Sequence, residues 1–226
     1  MSDFELTLAQ EQVRLLPERA LFRPRDATLF VADVHLGKAA TFRAHGLPIP
    51  DGTTHDTLTR LSSAIDRCCA TRLVVLGDLL HARAGRHPRT EDQLIAWRLN
   101  YLDLQIELIR GNHDRQAGDP DPALDIILRD PPVVDGAFEL RHHPAIGTEG
   151  YALAGHLHPG VSLIGPSRQR LFLPCFHFAP RGGILPAFGE FTGLAATVPK
   201  MGDRVFAIAG DDVIEVRDDR LRHTAV

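Results

Sequence analysis

The 226-residue chain is predicted to form a single α/β domain, with parallel strands in its first half and mainly antiparallel strands in its second. Three observations carry that expectation. Compact apolar runs of strand length recur through residues 27–109. Segments with helical spacing separate them. After Pro131 the rhythm changes to short apolar stretches broken by Gly and Pro. Strand, helix, strand, helix, strand in that order predicts parallel pairing through right-handed crossovers.

Residues 4–22 are β-like, punctuated by Pro17 and Pro24, and residues 27–32 (Ala-Thr-Leu-Phe-Val-Ala) suit a strand buried on both faces. A helix is expected over 51–71, because Leu58, Leu61, Ile65 and Cys68 share one face and Asp51 or Thr53 can cap its start. Residues 73–76 read as the second strand. A second helix is expected to begin near Thr90, where Thr-Glu-Asp-Gln fits a capping box ahead of Leu94, Trp97 and Tyr101. Residues 105–109 read as the third strand. Beyond Pro131, segments 151–154, 161–164, 171–173 and 205–209 are strand-like, and Gly210-Asp211-Asp212 marks a hairpin. No internal repeat, low-complexity stretch or linker interrupts the chain.

Composition limits the function classes. With 44% hydrophobic and 24% charged residues the chain can bury a sizeable core. A net charge of −4 is not that of a polybasic nucleic-acid binder, although all but Lys38 and Lys200 of its 25 basic residues are arginine. Cys68, Cys69 and Cys175 make no disulfide framework or CxxC site, which suits a reducing compartment. Neither a secretory signal nor an apolar run long enough for a bilayer is expected, and the cytoplasm is the expected location.

Each strong strand is followed at once by side chains able to hold a metal. The clusters are Asp33-Val34-His35, Gly77-Asp78, Gly111-Asn112-His113-Asp114, His142-His143 and Gly155-His156-Leu157-His158. Ligands of open α/β sheets sit beyond the carboxyl ends of the strands, so five motifs distant in sequence should meet there. The donors are carboxylates, imidazoles and one amide, without thiolates, which favours manganese, iron or zinc. Seven such groups exceed one tetrahedral ion and suit two ions roughly 3.5–4 Å apart, the arrangement used for in-line phosphoryl displacement. Asp-Val-His or Gly-Asp alone is weak, but Gly-Asn-His-Asp arises by chance in roughly one chain in a thousand of this length.

The motif series resembles that of the calcineurin-like metallophosphoesterases, over residues 30–216. The resemblance implies a β-sandwich core flanked by helices. It implies that Asp33, His35, Asp78 and His158 hold one ion while Asp78, Asn112, His142 and His156 hold the other, with Asp78 bridging. It implies that His113 meets the scissile phosphate and protonates the leaving oxygen, and that Asp114 orients its ring. Longer strings, including residues 31–38, Phe42-Arg43, residues 46–50, 76–81, 154–159, 173–176 and 185–189, resemble the ligase-associated DNA damage response endonucleases. That likeness implies DNA as substrate and association with a DNA ligase and a helicase; manganese is the expected activating metal, with iron or zinc as alternatives, and no membrane partner is expected.

Two departures from the family pattern stand out. Where many members place Asp-Arg after the bridging aspartate's motif, this chain has Leu79-Leu80-His81. His81 is therefore a candidate supporting group and Arg83 the candidate phosphate-binding arginine. The fourth motif reads His142-His143-Pro144 instead of His-Gly, and His142 is chosen by its place after the strand-like Phe138-Glu139-Leu140. Arg83, Arg86 and Arg89 suit a phosphate-tracking groove or a solvated loop equally, and Arg115 and Arg181 are further candidates for a basic patch. Trp97, Tyr101 and Cys175 read as core. The alternatives to a nuclease are a small-molecule or lipid-precursor pyrophosphatase of the same fold and a catalytically silent scaffold.

Overall fold

The computed structural model describes residues 1–44, 46–47, 52–164, 170–190 and 192–217. Two sheets form its frame. In the first, β1 (Phe4–Leu8), β2 (Glu11–Leu16), β3 (Ala20–Arg23), β4 (Thr28–Val31), β5 (Arg72–Val75), β6 (Gln105–Ile109) and β7 (Ile126–Arg129) lie side by side in chain order. Pairing is antiparallel from β1 to β4 and parallel from β4 to β7. The second sheet holds β8 (Val133–Asp135), β9 (Phe138–Leu140), β10 (Tyr151–Ala154), β11 (Pro159–Ile164), β12 (Arg170–Ala179), β13 (Gly182–Ile184), β14 (Ala195–Ala196), β15 (Arg204–Ala209) and β16 (Asp212–Val216). Its centre, β9–β10–β13, is parallel, while most of its other pairings are antiparallel.

The sheets face each other across an apolar layer. Phe30, Val74, Leu76 and Ile109 of the first meet Phe138, Leu140, Leu153, Phe176 and Phe206 of the second. The opposite face of the first sheet is covered by α2 (Thr53–Cys68) and α3 (Pro88–Leu99), with the short α4 (Asn112–Ala117) after β6, while α1 (Lys38–Ala44) packs on the 3₁₀ turn at residues 83–85. Leu58, Leu61, Ile65 and Cys68 of α2 are all buried there, as are Leu94 and Trp97 of α3. This is the α/β sandwich with flanking helices that the motifs implied.

Local details correct several expectations. The helix α2 starts at Thr53 with Gly52 as its cap and no capping side chain, so Thr53 is inside the helix; Asp51 lies outside the described residues. Helix α3 starts at Pro88 rather than near Thr90. Proline's fixed φ suits the first helical position, and His87 Nδ1 accepts from the Arg89 N–H at 3.3 Å. Helix α1 and strand β7 form where the sequence shows no clear pattern, since each is too short to display a period. The Gly210-Asp211 turn does join β15 to β16, with Ala209 opposite Asp212.

Strand β9 leads into His142, and its Glu139 anchors the neighbouring turn. The buried carboxylate accepts from the N–H groups of Thr148 and Glu149 at 3.0 and 2.9 Å and from Arg141 Nε at 2.5 Å. The Glu149 N–H is the leading cause that holds its pKa down at about 2. A depressed carboxylate stabilises the fold above the unfolded-chain pKa of about 4.3, and that contribution is lost as pH falls through about 2. Glu139→Gln should therefore lower Tm by a few degrees at pH 7, with the gap to wild type closing between about pH 4.5 and 2 in scanning calorimetry. A pH-independent gap would show that the carboxylate's charge is not what anchors the turn.

Candidate metal centre

Every expected ligand lies just beyond the carboxyl end of a strand, all but Asn112 in a loop. Asp33 and His35 follow β4, Asp78 follows β5, Asn112 opens α4 after β6, His142 follows β9, and His156 and His158 follow β10. The loops turn sharply. Asp33, His35, Asp78, His156 and His158 all adopt left-handed backbone, with φ between 48° and 71°. That conformation costs a non-glycine residue roughly 1–2 kcal/mol and clusters at functional sites.

The side chains converge. Asp33, His35 and His158 bring ligand atoms within 4.8 Å of one another, as do Asp33, Asp78 and His142. His35 Nε2 lies 3.4 Å from His158 Nε2, and His158 Nε2 lies 3.7 Å from Asp33 Oδ1. On the other side His142 Nε2 lies 3.0 Å from Asn112 Oδ1 and 3.1 Å from His156 Nδ1. Asp78 Oδ2 stands between the groups, 3.4 Å from His142 Nε2 and 3.9 Å from His35 Nε2. That is the place a bridging carboxylate would occupy.

Two ring orientations fix which nitrogen is available. His142 Nδ1 donates to the Leu76 carbonyl at 3.1 Å, and His158 Nδ1 donates to the Gly193 carbonyl at 3.1 Å. Each Nε2 is left as a lone-pair donor facing the cluster, the tautomer a metal ligand needs. His143 also comes within ligand distance of His142 and His156, but it is exposed, whereas His142 is fully buried and shared by two of the three clusters.

The electrostatics fit a cation. Asp33 is fully buried, and its Oδ1 has no hydrogen-bond partner among the described residues. A buried carboxylate oxygen left unpaired is costly unless a cation meets it. Burial is the main cause that pushes the Asp78 carboxyl up to about 6, with Asp33 adding to it and His142 opposing. Burial also keeps the His35 imidazole neutral, its pKa pushed down to about 2, with Lys38 and the neighbouring histidines contributing. The donors are thus oxygen and imidazole nitrogen, the set that suits divalent ions of the manganese–iron–zinc group.

Supporting residues depart in part from expectation. Asp114 does not touch the His113 ring. Its buried carboxylate accepts from the N–H groups of Asp78 at 2.7 Å, Gly111 at 2.9 Å and Leu80 at 3.2 Å, and so holds the Asp78 turn. The His113 ring is oriented instead by His81, whose carbonyl accepts from His113 Nδ1 at 2.6 Å and whose ring stacks on it at 4.8 Å. Arg83 lies exposed in a short 3₁₀ turn just after His81. The basic patch is smaller than expected. Arg86 pairs with Glu91, Arg115 with Asp130, and Arg181 with the Gly147 carbonyl. Lys38, which the motifs leave without a role, is half-buried and close enough to feel both Asp33 and Asp78. Its place directly after Asp33-Val34-His35-Leu36-Gly37 is the one signal in the sequence that points to it.

This two-sheet scaffold with a cluster of buried aspartates and histidines at its strand ends defines a metallophosphoesterase fold. The chain belongs to the calcineurin-like metallophosphoesterases, as a relative of nuclease type. It is similar to the solved Pseudomonas putida nuclease MPE, with 37% identity and a TM-score of 0.83 over 95% of this chain and 100% of that one. A phosphoesterase from E. coli, Yfce, aligns at 16% identity and a TM-score of 0.40 over 84% of this chain and 97% of that one, too distant a likeness to bear on function. Neither a protein-family model nor a curated protein matches the chain.

Two glycines leave room for the ligands. A Cβ on Gly111 would overlap Asp78 Oδ1, and one on Gly77, whose φ is +79°, would overlap the His142 ring. Gly111→Ala should therefore weaken manganese retention by roughly 10–100-fold, the range for disturbed ligand support, with an unchanged circular-dichroism spectrum. Full metal content in that variant would show that Asp78 is not a ligand.

Proposed function

We propose that the chain is a two-metal phosphodiesterase that hydrolyses DNA, manganese-activated, and serves cytoplasmic DNA repair beside a DNA ligase and a helicase. The observation that carries the reading is the convergence of seven oxygen and nitrogen donors on two adjoining positions, with Asp78 Oδ2 near histidines of both. Support for a nucleic-acid substrate comes from the Pseudomonas putida relative, a nuclease, and the choice of DNA follows the sequence resemblance. Among the described residues no helix is long and apolar enough to cross a membrane.

In this reading Asp33, His35, Asp78 and His158 would hold one cation and Asp78, Asn112, His142 and His156 the other. Such ions supply electrophilic activation of a phosphodiester and acidify water. The chain's own groups do the rest. His113 is the acid. Its Nδ1–H is tied to the His81 carbonyl, which leaves Nε2 to face the departing oxygen. Its backbone N–H donates to Asp78 Oδ1 at 3.0 Å, which ties the acid's position to that of the carboxylate. Arg83 and Lys38 offer positive charge to the nonbridging phosphate oxygens.

Separate variants test binding and chemistry. Asp78→Asn should lose at least one ion by elemental analysis, because a neutral amide bridges two cations poorly. His113→Ala should retain both ions and lose about 10²–10⁴-fold in rate on bis(4-nitrophenyl) phosphate. An empty site in His113→Ala would make His113 a ligand instead of the acid.

Substrate class is decided by offering the manganese-loaded protein labelled single-stranded DNA, duplex DNA and nucleotide pyrophosphates side by side. Cleavage of DNA, single strands and ends first and weakening as salt rises, is expected. Turnover confined to the pyrophosphates would reject the nuclease reading.

A further inference from the structure

The hairpin of β11 and β12 reaches past the sandwich on the side of the metal centre. Strand β13 is parallel to β10, from whose carboxyl end His156 and His158 leave, and β12 is antiparallel to β13. His177 pairs with Ile184 and Ile184 with Ala154, so residues of β12 before His177 extend beyond Ala154 toward the ligand loops. Side chains alternate along β12. Phe176 and Phe178 point into the layer between the sheets and are buried. Phe172, four residues ahead of Phe176 on the same face, is 45% exposed. The inner face of the second sheet thus continues outward and ends in an aromatic ring that stays about half open.

That ring is held close to a ligand. Gly160 lies opposite Pro174, and a Cβ on Gly160 would come within 2.7 Å of Phe172 Cζ and 2.9 Å of Leu194 Cβ. The tip of the ring therefore rests on bare glycine backbone with Leu194 beside it. Gly160 is two residues from His158, at most about 7 Å of chain. Gly193, next to Leu194, supplies the carbonyl that accepts from His158 Nδ1 at 3.1 Å. One segment thus braces both the ring and the ligand. Two residues before Phe172, on the same face, Arg170 is exposed and makes no hydrogen bond or ion pair among the described residues.

We propose that Phe172 is a stacking platform for a base of single-stranded DNA flanking the phosphate to be cut, with Arg170 meeting the backbone beside that base. The inference rests on the nuclease reading above and deepens it. A half-open aromatic ring offers its face to any base, because every base has a π-face. The unpaired guanidinium next to it suits a backbone phosphate. Bases of a duplex are stacked on one another and cannot reach the ring, so the pair selects unpaired strands and ends. In a chain of net charge −4, this short-range contact supplies affinity that a broad basic surface does not. Phe172 is a positioning residue and touches no reacting atom.

The two residues should give opposite signatures. The protein in chelator is titrated with a fluorescent oligothymidylate and with an abasic oligomer of equal length, by anisotropy over a series of salt concentrations. Phe172→Ala should bind oligothymidylate roughly 5–100-fold more weakly, the range for one base stacked on an aromatic ring. It should erase most of the preference for oligothymidylate over the abasic oligomer and leave the salt slope as it was. Phe172→Trp should restore that preference. Phe172→Leu, which keeps an apolar contact on Gly160 and has no π-face, should not. Arg170→Ala should weaken both oligomers alike and make the slope of log affinity against log salt shallower by about 0.7. With manganese, the Phe172→Ala loss should appear in KM for oligonucleotide cleavage and not in kcat. Equal weakening of both oligomers by Phe172→Ala, or full base preference in Phe172→Leu, would overturn the proposal. So would a wild-type protein that binds the two oligomers equally or not at all. A wild-type protein that prefers the base-bearing oligomer yet cuts no DNA would sink the nuclease reading and leave the platform standing.

Discussion

Two buried carboxylates set the terms for the rest of this molecule. Asp33 and Asp78 are 0% and 2% exposed, and both lie within reach of the same histidine, His142. Burying like charges together is unfavourable by desolvation and by mutual repulsion, and the raised Asp78 pKa is the visible sign. Protons or cations can relieve it. The imidazoles around the carboxylates, with Nε2 of His142 and His158 turned inward, match cations.

The scaffold supplies the force that holds this arrangement. Asp33 and Asp78 sit in left-handed turns that would relax if unsupported. Asp114 fastens three backbone N–H groups around the Asp78 turn. The segment 187–189 does the same for Asp33. Phe188 N–H donates to the Ala32 carbonyl at 2.7 Å and Gly189 N–H to the Asp33 carbonyl at 3.0 Å. That segment is gripped in turn by Arg60, which bonds to Glu190 and to the Phe188 carbonyl, and by Arg19, which reaches the carbonyls of Ala187 and Gly189. The apolar layer between the sheets keeps the β4–β6 ends and the β9–β10 ends at a fixed separation.

Much of the centre is legible in sequence because its chemistry is written in short strings. Each ligand follows a strand of recognisable apolar character, and β6 and β10 fall where the pattern places them. The buried stripe of α2 follows from helical spacing alone. Cys175 is a core residue with its thiol pushed up to about 12 by burial, as its apolar surroundings suggest. What escapes is long-range and polar. Nothing in the string Gly-Asn-His-Asp tells whether Asp114 serves His113 or the Asp78 backbone, since the partner lies 36 residues away. The clamp between Arg60 and Glu190 spans 130 residues. The pairing of Arg86, Arg115 and Arg181 within the protein likewise depends on tertiary placement, which composition does not encode.

The central claim is that the chain holds two cations bridged by Asp78, and anomalous diffraction from crystals grown with manganese tests it most directly. Two anomalous peaks roughly 3.5–4 Å apart are expected. One would be ligated by Asp33, His35 and His158, the other by Asn112, His142 and His156, with Asp78 touching both. A single peak, or a second ion held by His143 in place of His142, would contradict the claim.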